Sequence, residues 1–316
     1  MRVIGSVRIG RNVQTTTFIF LAILVLLPLF LSGEPYYLWV LLMCVFYAIL
    51  AINWDLLLGY GNMLAFSHTG FLGVGAYTSV FLALLLGLPA FLTSLIGAVS
   101  AAVTGLVIGW ICLRLRGIYL ALATWGFSGI VQRILIAEYD ITGGRKGMEA
   151  PYLLPFSSLK MPLAYYYVGL LILIANVAFA LWLVNSRFGL ILQAMGDDEE
   201  ACSSLGNNIT FYKVALFTVT SFWIGLAGAF NAHLLGYVTP AIADFFTIMT
   251  ATMAATIIGG LSTIVGPLLG GFLIYLIMEC SRATLGGLQQ LVVAIIFLVS
   301  LKFFRNGIMG LILRRR

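Results

Sequence analysis

Charge and histidine are what this chain has least of. Of its 316 residues 9% are charged and two are histidine, His68 and His233, while 62% are hydrophobic. A soluble domain carries about 25% charged residues. With a mean hydropathy of +1.08, the composition excludes a soluble globular fold and predicts a polytopic integral membrane protein. So little histidine leaves scant material for metal or acid–base chemistry. A Gly-x4-Gly-Lys-Ser/Thr phosphate loop, a His-Glu-x-x-His pair and a Gly-x-Ser-x-Gly elbow are all missing, so no catalytic residue, metal site or cofactor is assigned to this chain. Any ATP chemistry must belong to another chain. The scattered Cys44, Cys112, Cys202 and Cys280 have no Cys-x-x-Cys spacing, which argues against a zinc site or disulfide framework and reads as small buried hydrophobes.

What is there instead is a series of apolar runs. Each run is continuous, so helices are expected and a closed barrel is not. Crossing a hydrocarbon core of roughly 30 Å takes about 20 helical residues. The runs fall at Thr17–Leu31, Tyr37–Ile52, Asn62–Gly87, Ala90–Leu113, Ile118–Ala137, Ala164–Val184, Lys213–Leu235, Phe245–Gly259, Thr263–Cys280 and Leu288–Phe304. The expected fold is all-α, with about ten (eight to ten) membrane helices, glycine-broken or re-entrant segments and an internal repeat. Asn62–Gly87, long and glycine-rich, and Phe245–Gly259, short, are the candidates for re-entrant or half-crossing segments.

The net charge of +6 sits at membrane flanks, which makes it a topology signal and gives no support to a nucleic-acid partner. Arg2, Arg8 and Arg11 at one end, Arg314, Arg315 and Arg316 at the other, and Arg114, Arg116, Arg187 and Lys213 between them predict cytoplasmic termini. Residues 138–163 then form an extracytoplasmic loop, and residues 185–212 a cytoplasmic one, within a single membrane domain over 1–316. Leu31-Ser32-Gly33-Glu34 offers no small-x-small cleavage site, so the first span is expected to be a retained anchor. Arg133 is expected to snorkel, and Glu279 and Arg282 to pair.

Polar groups inside a membrane are costly and point to function. The densest cluster runs from Asn62 through Ser67, His68 and Gly70 to Gly73, Gly75 and Thr78. Its glycines either break the helix and expose backbone to a solute pathway or pack a tight crossing. A second stretch, with Gly259, Gly260 and Ser262, repeats this plan in the later half, as in transporters built from repeats around a midplane path. Between Ala164–Val184 and Lys213–Leu235 lies a polar island, Gly196 to Gly206. Asp197 or Asp198 is placed to cap a helix, Glu199 and Glu200 occupy its positive first turn, and Gly206 stops it after about two turns, roughly 12 Å. It is either a solvated loop or a docking element for a soluble partner.

Glu200-Ala201-Cys202, three residues, then Gly206 resembles the Glu-Ala-Ala-x3-Gly loop of ABC importer permeases, with Cys202 at the second alanine. Gly59-Tyr60-Gly61-Asn62, Ser67-His68, Gly73-Val74-Gly75-Ala76-Tyr77-Thr78, Leu113 to Tyr119, Thr142-Gly143-Gly144 with Gly147, Ser186-Arg187-Phe188-Gly189, Leu226 to Ala229, Gly259-Gly260-Leu261, Gly266-Pro267 and Gly270 together resemble branched-chain amino acid ABC transporter permeases of the LivM type, over about Asn53 to Gly310. The resemblance implies a permease of the bacterial inner membrane, working beside a second, LivH-like permease, two ATP-binding subunits that hold the ATP and Mg, and an extracytoplasmic solute-binding protein. It assigns coupling to Asp198, Glu199, Glu200, Ala201, Cys202, Leu205 and Gly206. Asn62, Ser67, His68, Gly70, Gly73, Gly75, Thr78, Gly259, Gly260 and Ser262 would line or hinge the path, and Thr142, Gly143, Gly144, Arg145 and Lys146 would face the binding protein. Branched-chain amino acids are the default substrate; urea, short amides and aromatic acids are the alternatives within such permeases. A partner-independent channel or secondary transporter is the competing class. A membrane enzyme lacks a cluster of acid, base and nucleophile.

Overall fold

The structure, a computed structural model, describes residues 11–30, 34–112, 115, 117–158, 161–303 and 307–309. Expectations resting on Arg2, Arg8, Arg114, Arg116, Lys160, Arg314, Arg315, Arg316, the Arg11 side chain and Leu31-Ser32-Gly33 lie outside the described residues.

Each of the ten apolar runs contains a helix. They are α1 (Arg11–Phe30), α2 (Pro35–Asp55), α3 (His68–Leu86), α4 (Ala90–Cys112), α5 (Ile118–Ala137), α7 (Pro162–Asn185), α10 (Ile209–Leu235), α11 (Thr250–Gly259), α12 (Val265–Leu285) and α13 (Gln289–Phe303). Seven spans are long and apolar enough to cross a membrane, and shorter apolar helices cover 19–28, 245–259 and 289–300. Two polar connections add three further helices, the one-turn α6 (Tyr139–Thr142) in one and α8 (Arg187–Asp197) and α9 (Glu199–Ser204) in the other. The chain is a multi-pass, almost wholly helical membrane protein. Its one ribbon among the described residues pairs β1 (Met148–Glu149) with β2 (Tyr237–Val238).

Local chemistry sets several helix ends. Pro35 and Pro162 open α2 and α7, where a missing N–H costs nothing. The Asn208 side chain accepts from the Phe211 N–H at 3.1 Å to start α10, and Gly236 with φ +68° ends it.

Small residues set the packing. In one group α3, α4 and α10 cross so closely that a Cβ on Gly75 would overlap the Gly225 backbone, and one on Gly105 would overlap Ser221 Oγ. In a second group α12 lies against α11 and α2: a Cβ on Gly270 would overlap the Ala255 carbonyl, and one on Gly271 would sit 2.6 Å from the Ala48 nitrogen. Where lipid is as apolar as the side chains, such close approach supplies the van der Waals contact that holds helices together. The span that α2 opens, Pro35–Tyr60, is the buried axis, with 94% of its apolar stretch covered, against 28% for α5.

The expected helix at Asn62–Gly87 starts later than its hydropathy suggests. Residues 62–67 are irregular, and α3 begins at His68. Gly70, Gly73 and Gly75 therefore do not break a helix. They lie within unbroken α3, where Gly70 packs under the Phe127 ring and Gly73 against Ala243. The interruption falls just before them.

Candidate functional site

One end of the bundle carries a polar arm. Ser186 accepts from the Gly189 N–H at 3.4 Å and starts α8, whose Leu192 and Met195 are buried. Asp198 then accepts from the Glu200 and Ala201 N–H groups, both at 3.0 Å, and starts α9 with Glu199 and Glu200 in its first turn. Gly206, at φ +84°, follows the last turn. At six residues, α9 is about 9 Å long, shorter than the expected two turns because it closes before Leu205.

The seven residues that resemblance assigned to coupling divide between two faces. Glu199 is paired with Lys213 Nζ at 2.9 Å, and Cys202 is buried at 3% exposure. Asp198, Glu200, Ala201, Leu205 and Gly206 are exposed, Leu205 at 83%. The arm thus holds itself to the bundle through one set of residues and leaves Asp198, Glu200 and a bare leucine exposed.

Beneath the arm lie two backbone breaks. After Asp55 the chain turns through a π-helical segment, Leu56–Tyr60, into the irregular 62–67 stretch. After Gly259 it reverses into α12. Asn62 (φ +51°) and Ser262 (φ +60°) are, among the described residues, the only non-glycines with positive φ. The breaks are bonded to each other. The Ser262 N–H donates to Asp55 Oδ1 (2.7 Å), its hydroxyl to the Gly59 carbonyl (2.8 Å), and the Tyr60 hydroxyl to the Ser262 carbonyl (3.0 Å). Gly307 packs on Gly260 from the far side.

The irregular 62–67 stretch rises alongside α5. The Phe66 N–H donates to Thr124 Oγ1 (2.9 Å) and the Gly70 N–H to Ser128 Oγ (3.2 Å), whose own proton goes to the Phe66 carbonyl (3.0 Å). A π-helical turn, Phe245–Met249, leads into α11. Its Phe245 ring lies 5.7 Å from that of Phe66 and 5.8 Å from Trp125. Because Thr124 and Trp125 lie well inside α5, the starts of α3 and of the 245–259 helix meet level with the interior of that helix. Here Ser67, His68 and Thr69 are fully buried, and Ser67 Oγ, both His68 ring nitrogens and Thr69 Oγ1 have no hydrogen-bond partner among the described residues. Thr78, further along α3, is half-buried.

At the opposite end, β1 and β2 fasten the long loop to the end of α10. Thr142 Oγ1 donates among the Leu135 and Glu138 carbonyls (2.7 and 2.6 Å) and accepts from the Gly144 N–H (3.2 Å). Buried Thr142 and Gly144, with half-buried Gly143, form the loop's frame, while Arg145 and Lys146 are exposed. The Tyr237 hydroxyl donates to the Lys146 carbonyl. His233 joins the same frame, with Nδ1 donating to the Pro151 carbonyl (2.6 Å), which leaves Nε2 to accept from Ser79 Oγ (2.7 Å). The expected Glu279–Arg282 pair forms at 3.3 Å, and the Tyr36 hydroxyl donates to the same carboxylate at 2.9 Å.

Sequence reading missed Asp55, Tyr60, Thr124, Ser128 and Phe245. Asp55 had a signal: it is the single acidic residue in Pro35–Tyr60, and an isolated carboxylate in an apolar span asks for a partner. The others are ordinary membrane-helix residues until the fold brings them beside a break.

Residues 36–301 match the protein family described as branched-chain amino acid transport system / permease component. The chain is 28% identical over 279 residues to the high-affinity branched-chain amino acid transport system permease protein LivM of Escherichia coli K12, covering 78% of this chain and 65% of that protein. It is 29% identical over 283 residues to LivM of Salmonella typhimurium, covering 79% and 66%. The autoinducer 2 import system permease protein LsrC of Yersinia pseudotuberculosis is 27% identical over 190 residues, 57% of this chain and 50% of that protein. The chain thus spans just under two thirds of the length of the LivM proteins it matches. No solved structure matches.

Proposed function

We propose, from the premise that this chain belongs to the permease-component family of branched-chain amino acid transport systems, that it is a non-catalytic membrane subunit of an ABC importer, moving branched-chain or similar hydrophobic amino acids inward. ATP, with its Mg, is bound and hydrolysed on two partner subunits. A second, LivH-like permease completes the membrane part in the bacterial inner membrane, and a solute-binding protein delivers substrate to the ribbon end, where Arg145 and Lys146 are exposed. Both termini lie on the cytoplasmic side, with the arm.

The observation that carries this reading is the two-faced arm. Leu192, Met195 and Cys202 are buried, Glu199 is tied to Lys213, and Asp198, Glu200 and Leu205 face outward. A purely solvated loop needs no such anchor, and a partner-independent transporter has no use for an exposed leucine on the same short arm as exposed carboxylates. The solute path is proposed to run past Phe66, Ser67, His68 and Phe245, where buried hydroxyl and imidazole atoms lack partners among the described residues at the level of the α5 interior.

The test is copurification in mild detergent. The wild-type chain is expected to bring down ATP-binding subunits and a second permease, and Leu205→Asp combined with Glu200→Arg to lose the ATP-binding subunits while keeping the permease. Recovery of the chain alone, with flux in liposomes, would replace the importer with a self-sufficient transporter. Uptake of labelled leucine, isoleucine and valine against urea and a short amide then sets the substrate.

A further inference from the structure

The arm and the two breaks form one continuous set of contacts. Gly196, near the end of α8, sits over the first break, its Cβ position 3.7 Å from the Tyr60 carbonyl and 3.9 Å from Asn62 Cβ. The first break is fixed internally, since the Met63 N–H donates to the Leu57 carbonyl (2.8 Å) and Trp54 Nε1 to the Ala65 carbonyl (2.9 Å). Three bonds then carry it across to Ser262, and the Ser262 N–H to Asp55 Oδ1 bond is the shortest of them. Asp55 is 1% exposed. Gly59 leaves it room, because a Cβ there would overlap Asp55 Oδ1 and crowd the Ser262 nitrogen at 2.6 Å. On the far side Gly259 lies so close to Gly266 that α11 and α12 leave the second break as a tight pair.

A buried carboxyl oxygen accepting a backbone N–H is a short-range tie, and removing it leaves that N–H orphaned. Tight ties at two irregular segments turn two soft points of the backbone into one stiff one.

Resting on the importer reading above, we infer that Asp55 is a positioning residue for coupled transport: it locks the two backbone breaks together under the arm, so that a partner pushing on α8 and α9 moves α3 and the α11–α12 pair as one unit. Without it the arm still docks, but its displacement stops at the first break.

The experiment uses the complete transporter, with both permeases, the ATP-binding subunits and the solute-binding protein, reconstituted in liposomes, and reads uptake and ATP hydrolysis together. Asp55→Ala is expected to lower uptake per ATP about tenfold while leaving hydrolysis within about twofold of wild type. Asp55→Asn, whose side-chain oxygen still accepts from Ser262, is expected to recover uptake per ATP to within about threefold. An unchanged ratio in Asp55→Ala, or a parallel fall of uptake and hydrolysis in an assembled complex, overturns the inference. If Asp55→Ala does not assemble, Tyr60→Phe decides, since it removes one bond across the breaks and keeps the ring: a ratio lowered about threefold supports the tie and an unchanged ratio overturns it. A wild-type chain that gathers no ATP-binding partner removes the importer reading and this inference together, whereas loss confined to the variants speaks of Asp55 alone.

Discussion

Gly70-Phe71-Leu72-Gly73-Val74-Gly75 and Gly259-Gly260-Leu261-Ser262-Thr263 share the same vocabulary of glycine, apolar residue and nearby hydroxyl, and one is straight helix while the other reverses the chain. In α3 the glycines face other helices, and what they supply is thinness: Gly75 admits the Gly225 backbone, and Gly70 admits the Phe127 ring. At the second break Gly260 takes φ +115° and ψ +121°, and what it supplies is a backbone state closed to other residues. Ser262 and Asn62 reach positive φ without being glycine. Ser262 is held there by Asp55, Gly59 and Tyr60. Glycine spacing therefore marks close backbone approach, and whether that approach is between helices or within a turn depends on what lies opposite.

Substitutions can break this comparison from its strongest side first. Gly75→Leu is expected to cost about 3 kcal/mol or to prevent folding, because the new side chain meets backbone that cannot yield; loss of monodisperse protein in detergent would show it. Gly260→Ala is expected to cost about 2 kcal/mol through backbone strain, read as a lowered Tm with helix content unchanged. Asp198→Ala removes the α9 cap at about 1 kcal/mol and is expected to speed amide exchange at Glu200 and Ala201 without altering the rest of the chain. Gly126→Ala sharpens the contrast: nothing lies within 4 Å of its Cβ position, so the isolated chain is expected to gain about 0.5 to 1 kcal/mol of helix stability. A loss there in the isolated chain would mean that thinness matters on α5 as well.

Much of the architecture was legible because hydropathy is a length measurement. A continuous apolar run in a membrane has to satisfy its backbone within itself, so each of the ten runs holds a helix, and seven spans are long and apolar enough to cross. The cap, narrowed to Asp197 or Asp198, and the stop at Gly206 were equally legible, since a cap and a stop act on their own few residues, and Asp198 is the one that caps. The start of α3 was not, because residues 62–67 continue an apolar run that passes for helix; the Phe66 N–H and carbonyl are satisfied instead by Thr124 and Ser128, some sixty residues away. The inward turn of Cys202 and the Glu199–Lys213 pair were hidden for the same reason, as a six-residue helix has no periodicity long enough to tell its faces apart.

Sequence by itself determined that this is a multi-pass helical membrane protein, which apolar runs hold its helices and which family it belongs to, because these follow from composition, from runs and from an ordered set of local motifs. Only the tertiary structure decided that Asp55 meets Ser262, that Phe66 meets Phe245, and that the glycines of α3 pack while Gly260 turns. Those pairings join residues far apart in the chain, and the energy of a buried carboxylate or a closely crossed helix depends on the partner that folding brings to it.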